Sequence, residues 1–308
     1  MQGAASDTIA LIGAGNMGNA IASLFGSHGW QVLLIDPSEQ ACAKSRARLL
    51  DRPGNDAGRP AQFSWSSDLQ AAAGASLIIE AVPENTALKK EVFRQLEAHI
   101  APTALLATNT SGISINALSK GLRHPERFIG THFFTPADII PLVEVIACEH
   151  TSTATSQKII DTLRHVGKLP VLVRKDIPGF IANRLQHALA REAMSLLEKG
   201  VASAEDIDQV ARWSLGIRLA LTGPLEQRDI NGLDVHHAIA EYLYPDLENR
   251  QQPPQILSDK VQQGHTGVKS GQGFYDWSSS ARRHALERKE AALRALTAYL
   301  CEYHSDTD

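Results

Sequence analysis

The sequence predicts an α/β fold, a doubly wound and mostly parallel sheet, followed by a smaller all-helical domain. Three observations carry this expectation. Near the N-terminus a short β-rich run leads directly into a glycine-rich turn and an amphipathic helix. Apolar runs then alternate with helical patterns, the signature of a parallel sheet with helices on its faces. Beyond "RKDIPGF" the strand patterns largely disappear, and apolar residues recur at three and four instead. The expected division is residues 1–176 for the sheet domain and 177–308 for the helical domain.

The first unit justifies itself residue by residue. "TIALI" (Thr8 to Ile12) reads as a strand, and "GAGNMG" after it places Gly13, Gly15 and Gly18 at G-x-G-x-x-G spacing. Gly13 allows the tight turn, Gly15 lets the backbone approach a pyrophosphate, and Gly18 lets the helix pack close to the strand. Asn16 and Met17, between the last two glycines, belong to the same cofactor-binding stretch. The helix "NAIASLFGSHGW" offers its N-terminal N–H groups and positive dipole to phosphates. "QVLLID" then ends in Asp36, where a carboxylate can accept both adenosine ribose hydroxyls and repel a 2′-phosphate. That favours NAD over NADP. Glycine-rich turns are common, so the pattern alone also fits a tight turn in an unliganded domain; the strand, helix and acid around it favour the nucleotide.

"ASLIIEAVP" follows as a buried strand, "NTALKKEVFRQLEAHI" as an amphipathic helix and "TALLATNTS" as a further strand. After a polar loop come "RFIGTHFF", "LVEVIAC", a helix through "TSQKIIDTLRHVG" and the strand "PVLVRK". In such sheets ligands lie beyond the carboxyl ends of the strands. "EAVPEN", "ATNTS" and "GTHFF" are ends of that kind, which brings Glu84, Ser111 and His132 toward one edge.

In the second half, "FIANRLQHALAREAMSLLEKG" repeats Ile181, Leu185, Leu189, Ala193, Leu196 and Leu197 on one helical face, with Gly200 as its C-cap. Ser203 is placed to cap "AEDIDQVARWSLG". Further helices are expected through "EQRDINGLDVHHAIAEYL" and over the last thirty residues, whose charged tail reads as a solvated helix. An apolar helical lobe of this size commonly serves oligomerisation as well as substrate enclosure.

Four polar residues stand out. Glu144 lies inside the apolar run "PLVEVI", where alternation gives one face to Leu142, Glu144 and Ile146 and the other to Val143 and Val145. A buried carboxylate is costly without a charged or hydrogen-bonding partner. His132 ends "FIGTH", Ser111 ends "ATNTS", and Asn183 opens the long helix past the domain boundary. Oxidising a secondary alcohol requires a hydride acceptor and a base, and imidazole accepts a proton near neutral pH. A carboxylate on its other nitrogen fixes the tautomer. Three of the four also have a plainer reading: His132 as a hydrogen-bonded core histidine, Ser111 as the cap of a helix at "ISINAL", Asn183 as a first-turn residue; Glu144 is the hardest to explain away. The nucleotide-binding context of all four favours catalysis.

Composition excludes several classes. A net charge of -4 argues against a nucleic-acid binder with a broad basic face. Cys42, Cys148 and Cys301 have no short spacing, so no disulfide framework and no metal site is expected, as in a reducing compartment. No export signal is visible at "MQGAASDTIALIG", and no apolar run approaches the about 20 residues of a spanning helix. A cytoplasmic enzyme acting on a small molecule, with no membrane and no nucleic acid among its partners, is the expectation.

The chain resembles the L-3-hydroxyacyl-CoA dehydrogenase family over essentially its full length. The matching segments are "GAGNMG", "AVPENTALKKEVF", "NTSGISI", "HPERFIGTHFF", "PLVEVI", "DIPGFIANRL", "GPLE" and "GVKSGQGFYDW". The resemblance implies an NAD-binding Rossmann domain followed by a helical dimerisation domain, hence a homodimer. It implies that His132 is the catalytic base, oriented by Glu144, and that Ser111 and Asn183 contact substrate. It also implies nicotinamide-side contacts from Glu84, Lys89 and Asn109, with Asp36 on the ribose. The implied reaction is NAD-dependent oxidation of the 3-hydroxyl of an acyl-CoA, within fatty acid metabolism.

This chain departs from that pattern in three places. Thr135 stands where the family usually has Asn, "IIP" replaces the more usual Met-Lys before "LVEV", and the segment between Asp36 and Glu84 is shorter than in fatty-acid-oxidation members. Lys44, Arg46, Arg48, Arg52 and Arg59 remain there, either to meet CoA phosphates or as a solvated face. The shortening also resembles relatives acting on free 3-hydroxy acids, such as L-gulonate or carnitine dehydrogenases. Two rivals therefore stand beside the acyl-CoA reading: the same chemistry on a free 3-hydroxy acid, and a non-catalytic NAD-binding protein.

Overall fold

A computed structural model describes residues 7–50 and 63–305. Arg52 and Arg59 lie outside the described residues. The chain divides into two compact units, residues 1–184 and 185–308. The first contains β1 (Thr8–Ile12), α1 (Asn16–Ser27), β2 (Gln31–Ile35), α2 (Glu39–Leu50), β3 (Phe63–Ser66), β4 (Leu77–Glu80), α3 (Thr86–Leu96) and β5 (Leu105–Thr108). It continues through α4 (Ile115–Ser119), β6 (Phe128–Phe133), β7 (Leu142–Ala147), α5 (Thr153–His165) and β8 (Leu169–Val173).

The strands form one sheet in the order β3-β2-β1-β4-β5-β6-β7-β8. Every described neighbouring pair is parallel except β6 with β7. This is the doubly wound architecture, in which the order of strand addition reverses between β1 and β4 while both strands stay parallel. Helices cover both faces, so the central strands are apolar throughout rather than alternating. Ile9, Leu11, Leu34, Ile79, Ala107, Ile129, Val143 and Val145 feed the core on one side. Ala10, Ile12, Ile35, Ile78, Leu106, Phe128 and Ile146 feed the other. Each such Leu, Ile or Phe contributes about 1.5–3 kcal/mol on burial.

The single antiparallel pairing matters most for function. It sets His132 directly opposite Glu144 in the β6–β7 register. Adjacent cross-strand side chains on one face lie about 4.5–5.5 Å apart at Cβ, within hydrogen-bonding reach of each other.

The second unit is helical. α6 (Ala182–Glu198) leads to α7 (Ala204–Val210), α8 (Ile217–Leu219), α9 (Glu226–Asn231), α10 (Leu233–Leu243), α11 (Gln255–Gln262) and α12 (Ser280–Ser305). Ser203 caps α7 by accepting from the Asp206 N–H, and Gly200 takes a φ of +66° beyond α6, as the sequence anticipates. Arg282 lies 3.8 Å from the Tyr275 ring centroid and 3.2 Å from Glu205, fixing the start of α12. Among the described residues, no hydrophobic side chain beyond Phe180 is fully buried. Leu185, Leu189, Trp213, Leu225 and Tyr242 are all exposed.

The α1 turn yields a contrast that tests the packing. A Cβ on Gly18 would come within 2.0 Å of the Gly13 carbonyl oxygen, whereas one on Gly15 meets nothing within 4 Å. Gly18→Ala should therefore lower unfolding free energy by about 1–3 kcal/mol or more. Gly15→Ala should stay within about 0.5 kcal/mol of wild type. Denaturant titration of the two variants measures both.

Candidate active site

The N-terminal turn forms a cradle for a dinucleotide. Gly13 has a φ of +109°, a conformation that favours glycine, and a Cβ there would strike the Ala81 carbonyl at 2.7 Å. Gly15 caps α1 without a side chain, and its outer side is open. No acidic residue occupies the first turn, so the free N–H groups face an anion unopposed. Asp36 is held rigidly: its Oδ2 accepts from the Ala14 N–H and its Oδ1 from the Ser38 N–H, both at 2.9 Å. An open glycine face, a helix N-terminus and a fixed carboxylate fit the pyrophosphate and adenosine ribose of NAD. Asn16 and Met17 open α1 beside this cradle. The Asn16 side chain accepts from Arg48 at 2.9 Å, and Met17 packs on the core.

At the tips of β4 and β5 a polar network ties two strand ends together. Lys89, fully buried in α3, donates to both Glu80 carboxylate oxygens at 2.8 and 3.0 Å. Its Nζ also reaches the carbonyls of Val82 and Asn109, and lies 3.5 Å from Glu84. Glu80 accepts further from the Val82 N–H and the Thr108 hydroxyl. Burial pushes the Glu80 carboxyl up, opposed by Lys89, Thr108 and Val82. Glu84 accepts from the Thr110 hydroxyl and the Ser111 N–H, which fixes the loop carrying Ser111.

His132 and Glu144 meet on the neighbouring strands. His132 Nδ1 lies 2.7 Å from Glu144 Oε2, and both residues are buried. The other carboxylate oxygen accepts from the Ile181 and Ala182 N–H groups, each at 2.9 Å. Phe180, just before them, has a φ of +49° and is the only non-glycine residue with positive φ among the described residues. Its turn aims the opening N–H groups of α6 at the carboxylate. The His132 ring sits 4.4 Å from Phe134 and 5.8 Å from Phe180, centroid to centroid. With Glu144 accepting at Nδ1, the proton of the neutral ring belongs on Nδ1, and Nε2 keeps its lone pair.

Asn183 joins this arrangement by donating from Nδ2 to the Ser111 carbonyl at 2.6 Å. Asn109 Oδ1 accepts from the Phe133 N–H, next to His132. Asn183, Ser111, Glu84, Lys89 and Asn109 thus form one polar network, and the His132–Glu144 pair adjoins it through the backbone of Phe133, Ile181 and Ala182. Ser111 does not cap the following helix. That role falls to Ser114, whose hydroxyl accepts from the Ala117 N–H.

Sequence reasoning missed Glu80, Thr108 and Thr110. The signal for Glu80 was present: "LIIE" places a carboxylate at the end of a buried apolar strand, the same anomaly that singled out Glu144.

A dinucleotide cradle on a doubly wound sheet defines the class of NAD-binding proteins. Comparison with known proteins narrows it. Residues 8–177 match the 3-hydroxyacyl-CoA dehydrogenase NAD binding domain, and residues 179–277 match the C-terminal domain of the same family. The chain belongs to the 3-hydroxyacyl-CoA dehydrogenase family, NAD-dependent oxidoreductases acting on CH–OH groups. It is 36% identical to 5-formyl-3-hydroxy-2-methylpyridine 4-carboxylate 5-dehydrogenase of Mesorhizobium japonicum, over 94% of this chain and 97% of that one. A crystal structure of a dehydrogenase with this activity, described as an NAD+ dependent dismutase, superposes with a TM-score of 0.86, covering 96% of this chain and 97% of that one. A probable 3-hydroxybutyryl-CoA dehydrogenase of Deinococcus radiodurans is 35% identical over 87% of this chain and 99% of its own. The (S)-3-hydroxybutyryl-CoA dehydrogenase of Ralstonia eutropha is 32% identical, with a TM-score of 0.74 over 89% of this chain and all of its own. No helix among the described residues is long and apolar enough to cross a membrane.

The Glu144 environment predicts a pH dependence. Burial pushes its carboxyl up, but the His132 ring and the Ala182 and Ile181 N–H groups outweigh it, and the net direction is below the ordinary 4.5. A depressed native pKa contributes stability above the unfolded pKa and loses it as pH falls through the folded value. Wild-type melting temperature should therefore drop as pH is lowered from about 4.5, and the drop should be shallower in Glu144→Gln. Thermal melts across that range compare the slopes.

Proposed function

We propose that His132 Nε2 takes the hydroxyl proton of a bound alcohol while the carbon bearing that hydroxyl gives up hydride. Bound nicotinamide supplies the hydride acceptor. The observation that carries the reading is the 2.7 Å contact from His132 Nδ1 to Glu144, which leaves Nε2 as the basic nitrogen. As the ring gains its proton, Glu144 stabilises the imidazolium, and the Ile181 and Ala182 N–H groups keep that carboxylate ionised. The Ser111 hydroxyl and Asn183 orient the substrate oxygens. Phe134 and Phe180 shield the ring from water, which strengthens the charge interaction.

For the substrate we favour a small free carboxylate over an acyl-CoA. Two observations support this choice. The segment between Asp36 and Glu84 is short. The likeness to the pyridine carboxylate dehydrogenase runs nearly end to end at a TM-score of 0.86, against 0.74 for the 3-hydroxybutyryl-CoA enzyme. The acyl-CoA reading is retained as a second one, because relatives with that substrate reach 35% identity. NAD reduction measured with 3-hydroxybutyryl-CoA, free 3-hydroxybutyrate, a sugar acid and a pyridine carboxylate separates them. The free-acid reading requires kcat/KM for a carboxylate to exceed that for the thioester. On the best substrate, His132→Ala should lower kcat by about 10²–10⁴; unchanged turnover refutes the assignment.

The helical unit is proposed to pair with a second copy. A unit that exposes Leu185, Trp213, Leu225 and Tyr242 and fully buries no hydrophobic side chain of its own lacks the core a helical domain requires. Three unbridged cysteines support a reducing, cytoplasmic setting. Light scattering after size exclusion should give twice the chain mass at micromolar concentration, and a monomer overturns the pairing.

A further inference from the structure

The Glu80–Lys89–Glu84 cluster has a charge balance that the proton-transfer chemistry does not use. Two carboxylates face one ammonium, so a net negative charge remains. Its distribution is uneven. Lys89 Nζ lies 2.8 and 3.0 Å from the two oxygens of Glu80 but 3.5 Å from Glu84. Glu80 and Lys89 are fully buried, whereas the Glu84 side chain is 45% exposed. Lys89 is therefore neutralised chiefly from inside the sheet. The outer carboxylate keeps most of its charge, held at the same corner as Ser111 by the Ser111 N–H.

We propose that Glu80 is a positioning residue that reserves Lys89 for itself, so that Glu84 presents a negative charge favouring the oxidised, cationic nicotinamide over the reduced, neutral one. The proposal rests on the functional reading above: Ser111 is there assigned to the substrate oxygens, so the nicotinamide that takes the substrate's hydride is placed at the Glu84–Ser111 corner. The physical ground is Coulombic. A unit charge several ångströms away acts on NAD+ and has little net charge to act on in the NADH ring, and a partly buried charge is screened weakly by salt. Without Glu80, Lys89 has Glu84 as its sole carboxylate partner, and the preference cancels. A purely structural ion pair would make a different prediction: disturbing it would weaken both forms of the cofactor alike.

The ratio of NAD+ to NADH dissociation constants, measured on the full chain by calorimetry without substrate, tests the proposal. Glu80→Gln and Glu84→Gln should each shift the ratio toward NADH by about five- to tenfold. The double variant Glu80→Gln, Lys89→Met removes both inner charges and leaves Glu84 alone, so its ratio should return to within about twofold of wild type. Because packing losses act on both cofactor forms, they cancel in the ratio. Equal weakening of NAD+ and NADH in Glu80→Gln and Glu84→Gln overturns the proposal and leaves the proton-transfer reading standing. Failure of the double variant to restore the ratio does the same. If Glu84→Gln moves neither dissociation constant, the nicotinamide is not at this corner and both readings fall. Should Glu80→Gln not fold, Glu84→Gln and the double variant remain decisive.

Discussion

The arrangement of the carboxyl edge depends on one constraint: a carboxylate buried in a strand must have its oxygens satisfied. Glu144 meets it in two directions. One oxygen accepts at the His132 ring, across the only antiparallel pairing among the described strands, and the other takes two backbone N–H groups at the start of α6. Leaving either side unpaired costs about 1–3 kcal/mol, more for a charged group. The antiparallel pairing of β6 with β7 and the turn through Phe180 supply those partners.

A second buried carboxylate repeats the theme with different partners. Glu80 ends β4 as Glu144 sits in β7, but it is answered by a lysine, a hydroxyl and an amide instead of a histidine. The histidine meets its carboxylate through one ring nitrogen and keeps a second, whereas the lysine directs its donors to Glu80 and two backbone carbonyls. In the proposed chemistry the first moves a proton and the second holds a field, so two buried strand carboxylates, on β7 and β4, are given different electrostatic purposes by their partners.

Much of this was legible in the sequence. The strand–glycine–helix unit, the alternation that follows and the shift to helical spacing at "RKDIPGF" specified the sheet and the helical unit, because period and punctuation are local properties. Glu144 stood out because a charge in an apolar strand is anomalous wherever the chain goes. Ser111 was ambiguous because capping and substrate contact demand the same residue type, and only geometry shows Ser114 at the cap. Lys89 entered only through the family resemblance, as a nicotinamide-side contact, because its burial against Glu80 depends on β4 and α3 meeting in space. Nor does any local pattern announce the Phe180 turn. A phenylalanine at φ +49° is unfavourable in isolation, and the surrounding contacts must impose it.

That turn has an implication for engineering. The donors that hold Glu144 come from residues 181 and 182, upstream of the boundary at residue 184, although the second of them opens a helix that continues beyond it. A chimera that grafts this sheet unit onto a foreign helical partner at the sequence break near Pro178 would discard them and strand the acid. Splicing after Arg184 keeps the His132–Glu144 pair with both of its backbone donors, so the seam for recombination lies inside the helix, several residues past the proline and glycine of the sequence break.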